Sequence, residues 1–305
     1  MTETRHRTLK DWVITTRPWS FTTSTIGIIV PAAYLLYLAT MQGNISAIDW
    51  INVLLCLPLL VIVHAGGNLV SDYYDFTHGI DGPDCVNGVT WLHSGLFKPR
   101  EILRLGIALL CVGCLIGLVL LWRSSISAWW IGALGLVLSL LYPLCKTNTL
   151  GDIYVLTCFG LLPSLGTGYV GTGTYHVEMM LYCLPYALHI VAILHSNNTR
   201  DIANDLGADC VTLSGVVGGR RSQWIYAGEI LLPYLLVVTF ITLCHLTPWL
   251  LLTLLTLPLA IKNVKTMLSS HALQGGIARL DQATAQFQML FGITYALGFV
   301  AGALL

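Results

Sequence analysis

Long apolar stretches, separated by short or polar connections, make up most of the chain. A helix needs about 20 mostly apolar residues to cross a bilayer. The stretches are continuous and do not alternate with a period of two, which favours helices over the strands of a membrane barrel. The pattern predicts nine spanning helices, at 20–41, 50–74, 101–122, 127–143, 151–172, 179–199, 223–244, 247–264 and 283–304.

The composition agrees with a membrane protein and excludes several other classes. Only 10% of the 305 residues are charged, against about 25% in ordinary soluble domains. A chain so poor in charge cannot be disordered, and its net charge of zero argues against nucleic acid as a partner. We therefore expect an all-α, polytopic membrane protein, folded as one domain over 1–305, with the lipid bilayer around it and no obligatory protein partner.

The positive charges predict the orientation. With nine spans, only one of the 15 Lys and Arg residues, Arg123, falls on one face of the membrane. An excess of Lys and Arg marks the cytoplasmic face. The N-terminus should therefore be cytoplasmic and the C-terminus on the opposite side. The expected host is a bacterial inner membrane, and a eukaryotic organelle membrane is the alternative. The fourteen cations of the cytoplasmic face are Arg5, Arg7, Lys10, Arg17, Lys98, Arg100, Arg104, Lys146, Arg200, Arg220, Arg221, Lys262, Lys265 and Arg279.

Two short windows hold seven of the 15 acidic residues, and each window closes a span at its cytoplasmic end. Both begin with an asparagine that is followed by two aspartates at helical spacing, so that three oxygen-bearing side chains share roughly one helix face. The first window comprises Asn68, Asp72 and Asp75 and continues to Asp81 and Asp84; the second comprises Asn197, Asp201 and Asp205 and continues to Asp209.

These windows predict a metal site. Carboxylates at a helix C-terminus gain nothing from the helix dipole, and like charges at this spacing repel each other. Mg²⁺ takes oxygen ligands and bridges one or two carboxylates to the phosphates of a substrate. Solvated loop carboxylates are the alternative interpretation, but acids at the edge of a membrane are usually functional.

With its two Asn/Asp windows, the sequence resembles the UbiA superfamily of intramembrane aromatic prenyltransferases. Asn68-x3-Asp72-x2-Asp75 is similar to the first motif of that family, and Asn197-x3-Asp201-x3-Asp205 is similar to the second. The resemblance extends to Arg17-Pro-Trp-Ser-Phe21 and to Leu150-Gly-Asp152. The string His195-Ser-Asn-Asn-Thr-Arg-Asp201 looks most like the menaquinone branch.

The resemblance implies a fold and a reaction. It implies nine helices around a central cavity, and two Mg²⁺ ions that bridge the motifs to an isoprenyl diphosphate. The enzyme would transfer the isoprenyl chain to an aromatic acceptor. In the menaquinone branch this acceptor is 1,4-dihydroxy-2-naphthoate, and the product is demethylmenaquinone. Other acceptors are open alternatives, namely the aromatic compounds 4-hydroxybenzoate, homogentisate and menadiol, or a glycerol lipid.

The resemblance also assigns candidate roles to individual residues. The candidate metal ligands are Asn68, Asp72, Asp75, Asn197, Asp201 and Asp205. The candidate catalytic residues are the four aspartates together with Lys146 and Arg200. Lys146 and Arg200 are candidates for contacts with the diphosphate, followed by Lys98 and Arg17; each has an alternative role as a cation that sets topology. Further substrate contacts are expected from Asn68, Asn197, Asn198, Tyr73, Tyr74 and Tyr142.

Three further observations leave questions open. Residues 79–97 contain no Lys or Arg, although many relatives carry an arginine there, and Asp209 stands where glycine is usual. His64 and His195 lie near the windows, either as proton acceptors or as hydrogen-bonded packing residues. A transporter is the alternative from another class, but transporters place their acids at the bilayer midplane and not at helix ends.

Overall fold

Helices form almost the whole structure. The computed structural model describes residues 7–80, 90–207, 210–269 and 271–305, and within these ranges it contains no β-strand. The helices are α1 (Leu9–Thr15), α2 (Phe21–Met41), α3 (Trp50–Thr77), α4 (Thr90–His93), α5 (Pro99–Arg123), α6 (Trp129–Lys146), α7 (Gly151–Leu156), α8 (Leu162–Thr172), α9 (Glu178–Tyr182), α10 (Leu184–Arg200), α11 (Ile202–Gly207), α12 (Leu213–Val217), α13 (Gly219–Leu243), α14 (Leu257–Met267) and α15 (Leu280–Leu304).

The all-α, multi-pass architecture is confirmed. Eight helical segments in the described part of the chain are long and apolar enough to cross a membrane. Two of these segments are composite. A π-helical turn at Thr157–Leu161 connects α7 to α8 within one segment, and a 3₁₀ helix at Pro248–Thr256 leads into α14 within another. The eight segments are Pro18–Met41, Trp50–Thr77, Pro99–Arg123, Ile126–Lys146, Gly151–Thr172, Gly219–Leu243, Pro248–Met267 and Leu280–Leu304.

The remaining predicted span, 179–199, is divided between α9 and α10. The 17 residues of α10 correspond to about 25 Å of helix. At one end, the Tyr182 ring lies 5.2 Å from the Phe240 ring in the last turns of α13. At the other end, Arg200 contacts Asp281 at the start of α15. α10 thus joins the two ends of the bundle, but it is shorter than the eight segments above, and a count of nine spans stays a prediction.

The outer surface of the bundle is apolar and the interior is closely packed. Leu115, Leu118 and Trp122 on α5 are 62%, 61% and 85% exposed. Tyr186 and Ala187 on α10 are fully buried, where α10 packs against α13 and α15. A large exposed apolar surface is unfavourable in water but not in lipid, so this arrangement agrees with a bilayer around the bundle.

The end of the bundle that carries Arg123 is held together by polar contacts. Arg123 Nε donates to Asn52 Oδ1 at 2.7 Å, and Arg123 Nη2 lies 3.1 Å from Asp49 Oδ2. The Asp49 N–H donates to the Gly171 carbonyl. These contacts join the start of α3 to the ends of α5 and α8, so this end of the bundle is the one opposite the C-terminus of α3.

Small residues allow α3 and α5 to approach closely. A Cβ on Gly66 would lie 2.9 Å from Leu110 Cγ and 3.0 Å from the Gly106 carbonyl oxygen. Close approach through small residues is a general means of helix association in membranes. This contact fixes the position of the second half of α3, which carries the first acidic window.

A Gly66→Ala substitution should therefore destabilise the protein, whereas Gly67→Ala should not, because nothing lies within 4 Å of a Cβ on Gly67. Both changes gain the same helix propensity, but overpacking costs about 1–3 kcal/mol. Thermal unfolding in detergent should give a lower midpoint for Gly66→Ala than for Gly67→Ala. Equal midpoints would contradict the close α3–α5 contact.

Candidate active site

The first acidic window lies in the last turns of α3, and its two carboxylates are buried and paired with cations. Asp72 is 0% exposed and Asp75 is 1% exposed. The Arg17 guanidinium donates to Asp72 Oδ1 through Nη2, and Lys146 Nζ donates to Asp75 Oδ2 at 2.8 Å. Charges at such depth are stable only when they are paired. The structure thus places two of the four predicted diphosphate-binding cations on the first window.

Arg17 reaches Asp72 from a sharp turn between α1 and α2. Its φ of 57° lies in the left-handed region, which costs a residue other than glycine about 1–2 kcal/mol. The Ser20 N–H and hydroxyl both donate to the Arg17 carbonyl, at 2.9 and 2.8 Å, and so hold this turn. The residue before a proline avoids the helical region, so Pro18 also ends α1 here.

Asn68 and His64 connect the first window to the same turn. Asn68 Nδ2 donates to the Thr16 carbonyl and to Ser20 Oγ, both at 3.2 Å. This orientation leaves Oδ1 of Asn68 as the atom that could bind a metal. His64 Nδ1 lies 2.6 Å from Ser24 Oγ, a hydrogen bond that agrees with a packing role for this histidine.

The second window spans the junction of two helices. α10 ends at Arg200, and α11 begins at Ile202. Helical hydrogen bonds continue through the junction, because the Asp201 N–H donates to the Asn197 carbonyl at 2.9 Å and the Asp205 N–H donates to the Asp201 carbonyl at 2.8 Å. The expected shared face is therefore kept locally, although the helix assignment changes from α10 to α11 at Asp201.

Arg200 binds its own neighbour in the second window. Its Nε and Nη2 donate to the two carboxylate oxygens of Asp201, at 2.8 and 2.6 Å. Its Nη1 lies 3.4 Å from Asp281 Oδ1. A bidentate arginine fixes both the position and the plane of a carboxylate, so Arg200 orients Asp201 and ties it to the start of α15.

Both windows lie at the same end of the bundle. The Lys146 side chain binds Asp75, while its carbonyl oxygen lies 3.8 Å from Cys210 Sγ. The Val211 N–H donates to the Thr147 carbonyl at 3.1 Å. The segment that follows the second window thus packs on the residue whose amine binds the first window.

An apolar cavity of about 450 Å³ begins at the first window. Asn68, His64 and Tyr142 line one end of it, and Leu120 and Trp129 line the other end, near Arg123. This volume is in the usual range for sites that bind small molecules. The cavity is long and apolar, as an isoprenyl chain would require.

The structure does not bring all predicted residues to this cavity. Among the described residues that line it, only Asn68 and Tyr142 belong to the predicted site. The other candidates do not line the cavity: Arg17, Asp72, Tyr73, Tyr74, Asp75, Lys98, Lys146, Asn197, Asn198, Arg200, Asp201 and Asp205. The Tyr74 ring stacks on the His78 ring at 3.9 Å, and Lys98 is exposed just before α5. Asp81, Asp84 and Asp209 lie outside the described residues, as do residues 81–89 of the stretch that lacks a cation.

Sequence reasoning missed several residues that the structure places near the windows. Tyr154 lines the cavity, with its ring 4.8 Å from that of Tyr142, and Asp281 contacts Arg200. Asp152 and Glu229 meet His195 inside the bundle. A usable signal was present for these two acids, since both lie within apolar stretches, where ionisable residues mark functional sites.

Comparison with known proteins identifies the family. Residues 24–274 match the profile of the UbiA prenyltransferase family. The chain belongs to the UbiA prenyltransferase family. It is 33% identical over 295 residues to UbiA prenyltransferase domain-containing protein 1 of Xenopus tropicalis, covering 95% of this chain and 81% of that protein. The human protein of the same name is 32% identical over 295 residues, covering 95% of this chain and 83% of the human protein.

Solved structures share the fold. One, from a study of digeranylgeranylglyceryl phosphate synthase in membranes, has a TM-score of 0.62 at 20% identity, covering 97% of this chain and 98% of its own. Another, the apo structure of a UbiA homologue from Aeropyrum pernix K1, has a TM-score of 0.62 at 15% identity, covering 89% and 97%. At these identities the likeness concerns the fold alone. The chain is thus a multi-pass membrane protein with the fold of this prenyltransferase family.

Enzymes of the UbiA family are generally metal-dependent, and the residues of the two windows fit a divalent cation. They offer carboxylate and amide oxygens, the ligands that hard cations prefer. Oδ1 of Asp75 is buried and has no hydrogen-bond partner within the described ranges. An orphaned buried carboxylate oxygen is costly, and a bound cation would satisfy it.

Replacing Arg17 should weaken both stability and prenyl transfer. In Arg17→Gln the buried Asp72 carboxylate loses its guanidinium, which costs about 3–5 kcal/mol in a fully buried pair, and the partial exposure of Arg17 reduces this to about 2 kcal/mol. We expect at least a tenfold loss of prenyl transfer and a lower thermal midpoint. Lys10→Gln, at an exposed position in α1, is the control, and equal behaviour of the two variants would contradict the pairing.

Proposed function

We propose that this prenyltransferase transfers an isoprenyl chain from an isoprenyl diphosphate to 1,4-dihydroxy-2-naphthoate, in a Mg²⁺-dependent reaction of a single domain. The observation that carries the proposal is the position of two Asn/Asp windows at one end of the bundle, together with a long apolar cavity that begins at Asn68 of the first window. The choice of acceptor rests on the likeness of His195-Ser-Asn-Asn-Thr-Arg-Asp201 to the menaquinone branch.

Two Mg²⁺ ions would be held by the two windows. Asn68, Asp72 and Asp75 form one ligand set, and Asn197, Asp201 and Asp205 form the other. When bound, the ions neutralise the negative charge that develops on a diphosphate leaving group. Arg200 contributes by holding the Asp201 carboxylate in a fixed plane.

The protein's own residues would assist each chemical step. The allylic C–O bond breaks and the electron pair leaves with the diphosphate, whose charge Lys146 and Arg17 stabilise from their positions beside the first window. The face of the Tyr142 ring, at the mouth of the cavity, stabilises the allylic cation. The apolar walls hold the isoprenyl chain and keep water away from the cation.

The acceptor ring then forms the new C–C bond with the allylic carbon. With 1,4-dihydroxy-2-naphthoate, the carboxylate leaves as CO₂, its bonding electrons restore the aromatic ring, and the product is the quinol form of demethylmenaquinone. An acceptor with hydrogen at the attacked carbon loses a proton instead. The competing acceptors are 4-hydroxybenzoate, homogentisate and menadiol.

An assay with purified protein tests the reaction and the acceptor together. The protein is incubated with Mg²⁺, a long-chain isoprenyl diphosphate and each of the four acceptors in turn. We expect release of CO₂ and a prenylated product with 1,4-dihydroxy-2-naphthoate, and loss of activity when EDTA removes the metal. Prenylation of another acceptor alone would replace the proposed acceptor while leaving the reaction type unchanged.

Substitutions in the windows provide matched controls for that assay. Asp72→Asn and Asp201→Asn each remove one charged candidate ligand and should reduce turnover at least a hundredfold without unfolding the protein. Asp49→Asn changes an acid of the same kind at the opposite end of the bundle, where it faces Arg123, and should retain turnover. Wild-type rates in both window variants would mean that the ligand assignment is wrong.

We further propose that the windows face the cytoplasm. Arg17, Lys146 and Arg200 lie at the window end, and Arg123 lies at the opposite end. If the window end is cytoplasmic, this distribution agrees with the positive-inside rule. The proposed host is a bacterial inner membrane, although the relatives compared above are eukaryotic. Isoprenyl diphosphate does not cross membranes, so inverted vesicles should react with added substrate. Reaction only in right-side-out vesicles would reverse the orientation.

A further inference from the structure

Three ionisable side chains meet inside the bundle, outside both windows. Asp152 comes from the first turn of α7, His195 from α10 and Glu229 from α13, and one ligand atom from each lies within 4.8 Å of the others. Their side chains are 14%, 0% and 10% exposed, in that order. Ionisable groups at such depth in a membrane protein need a partner that offsets their desolvation.

The hydrogen bonds of His195 fix which ring nitrogen faces the two acids. Nε2 lies 3.1 Å from the Ser222 carbonyl oxygen and 2.9 Å from Ser222 Oγ. The carbonyl oxygen can only accept, and a hydrogen on Nε2 satisfies it. Nδ1 lies 3.3 Å from Glu229 Oε1 and 3.7 Å from Asp152 Oδ2. A neutral ring with its hydrogen on Nε2 turns its lone pair towards two carboxylates, and either a second proton on Nδ1 or a bound cation would offset this repulsion.

The distances suit a metal ion better than a proton. Good N–H···O hydrogen bonds are about 2.7–3.2 Å long, and His195 Nδ1 and both oxygens of Asp152 have no hydrogen-bond partner in the described parts of the chain. Two ligands that each lie about 2.0–2.1 Å from a tetrahedral ion are roughly 3.3 Å apart. Asp152 Oδ2, which lies 3.7 Å from His195 Nδ1, would have to move closer to complete such a set.

We propose that Asp152, His195 and Glu229 bind one divalent transition-metal ion of the Zn²⁺ class. An imidazole nitrogen with two carboxylates suits Zn²⁺ and its neighbours, whereas Mg²⁺ prefers oxygen ligands alone. The site therefore differs from the windows both in position and in the ion it selects. The hydrogen bond from Nε2 to Ser222 is the outer contact that usually orients a metal-bound histidine.

The bound ion would fix the position of α10, the helix that leads into the second window. It would join α7, α10 and α13, and His195 lies two residues before Asn197. The Ser222 hydroxyl donates to Ser214 Oγ at 3.0 Å and forms a hydrogen bond of 2.5 Å with Thr199 Oγ1, so the polar contacts extend to the last turn of α10. The ion has a positioning role and touches no substrate.

Metal content tests this proposal independently of catalysis. The full-length protein, purified without a histidine tag and stripped with a chelator, is titrated with Co²⁺ in excess Mg²⁺, which occupies the oxygen-only windows. We expect one Co²⁺ per chain, with the visible absorption of a nitrogen-ligated ion, and its displacement by Zn²⁺. Zn²⁺ should also raise the thermal midpoint of the stripped protein.

Isosteric variants identify the ligands. Glu229→Gln and Asp152→Asn should weaken Co²⁺ binding at least about tenfold and abolish the shift of the thermal midpoint by Zn²⁺. Asp201→Asn, in the second window, should bind Co²⁺ as the wild type does. Absence of Co²⁺ from the wild type, or equal affinity in Glu229→Gln and Asp201→Asn, would overturn the proposal and leave a histidinium ion pair in its place. Neither Co²⁺ binding nor the thermal midpoint depends on prenyl transfer, so a failure of the proposed reaction would not alter these results.

Discussion

Buried acids and the cations that compensate them determine how the helices of this protein meet. In an apolar bundle an isolated carboxylate is very costly, so each deep acid must lie where a cation can reach it. Lys146 brings α6 to Asp75 on α3, and Arg17 brings the N-terminal turn to Asp72 on the same helix. Arg200 joins α10 to α15 through Asp281. The helices near the windows are therefore held by charge pairing as well as by packing.

The same pairs prepare the site for a charged substrate. The carboxylates of the first window hold two cations beside the mouth of the cavity, where a diphosphate would lie. A group that is already in place loses little freedom when the substrate binds, and preorganised charges contribute most to stabilising a leaving group. The left-handed backbone of Arg17 is one cost of this arrangement, and the hydrogen bonds from Ser20 offset it.

Much of this architecture could be predicted from the sequence, because hydropathy and charge spacing report directly on the membrane. The eight clear spans and both windows follow from local patterns. The predicted span 179–199 differs from these, since α10 is buried among other helices and can carry His189, His195 and Asn197 without contact with lipid. The pairing of Arg17 with Asp72 depends on one backbone angle, and the meeting of Asp152, His195 and Glu229 depends on how three distant segments pack. No local pattern encodes such contacts.

The polar character of α10 has a consequence for how the protein is made. Insertion into a bilayer favours long apolar segments, and each histidine, asparagine or arginine reduces that tendency. α10 has 17 residues and carries all three types, so it gains little from lipid and much from α13 and α15, which follow it in the chain. The segment that bears the second window should thus reach its final position only after the C-terminal helices have been synthesised. The two windows would therefore come together late in biogenesis.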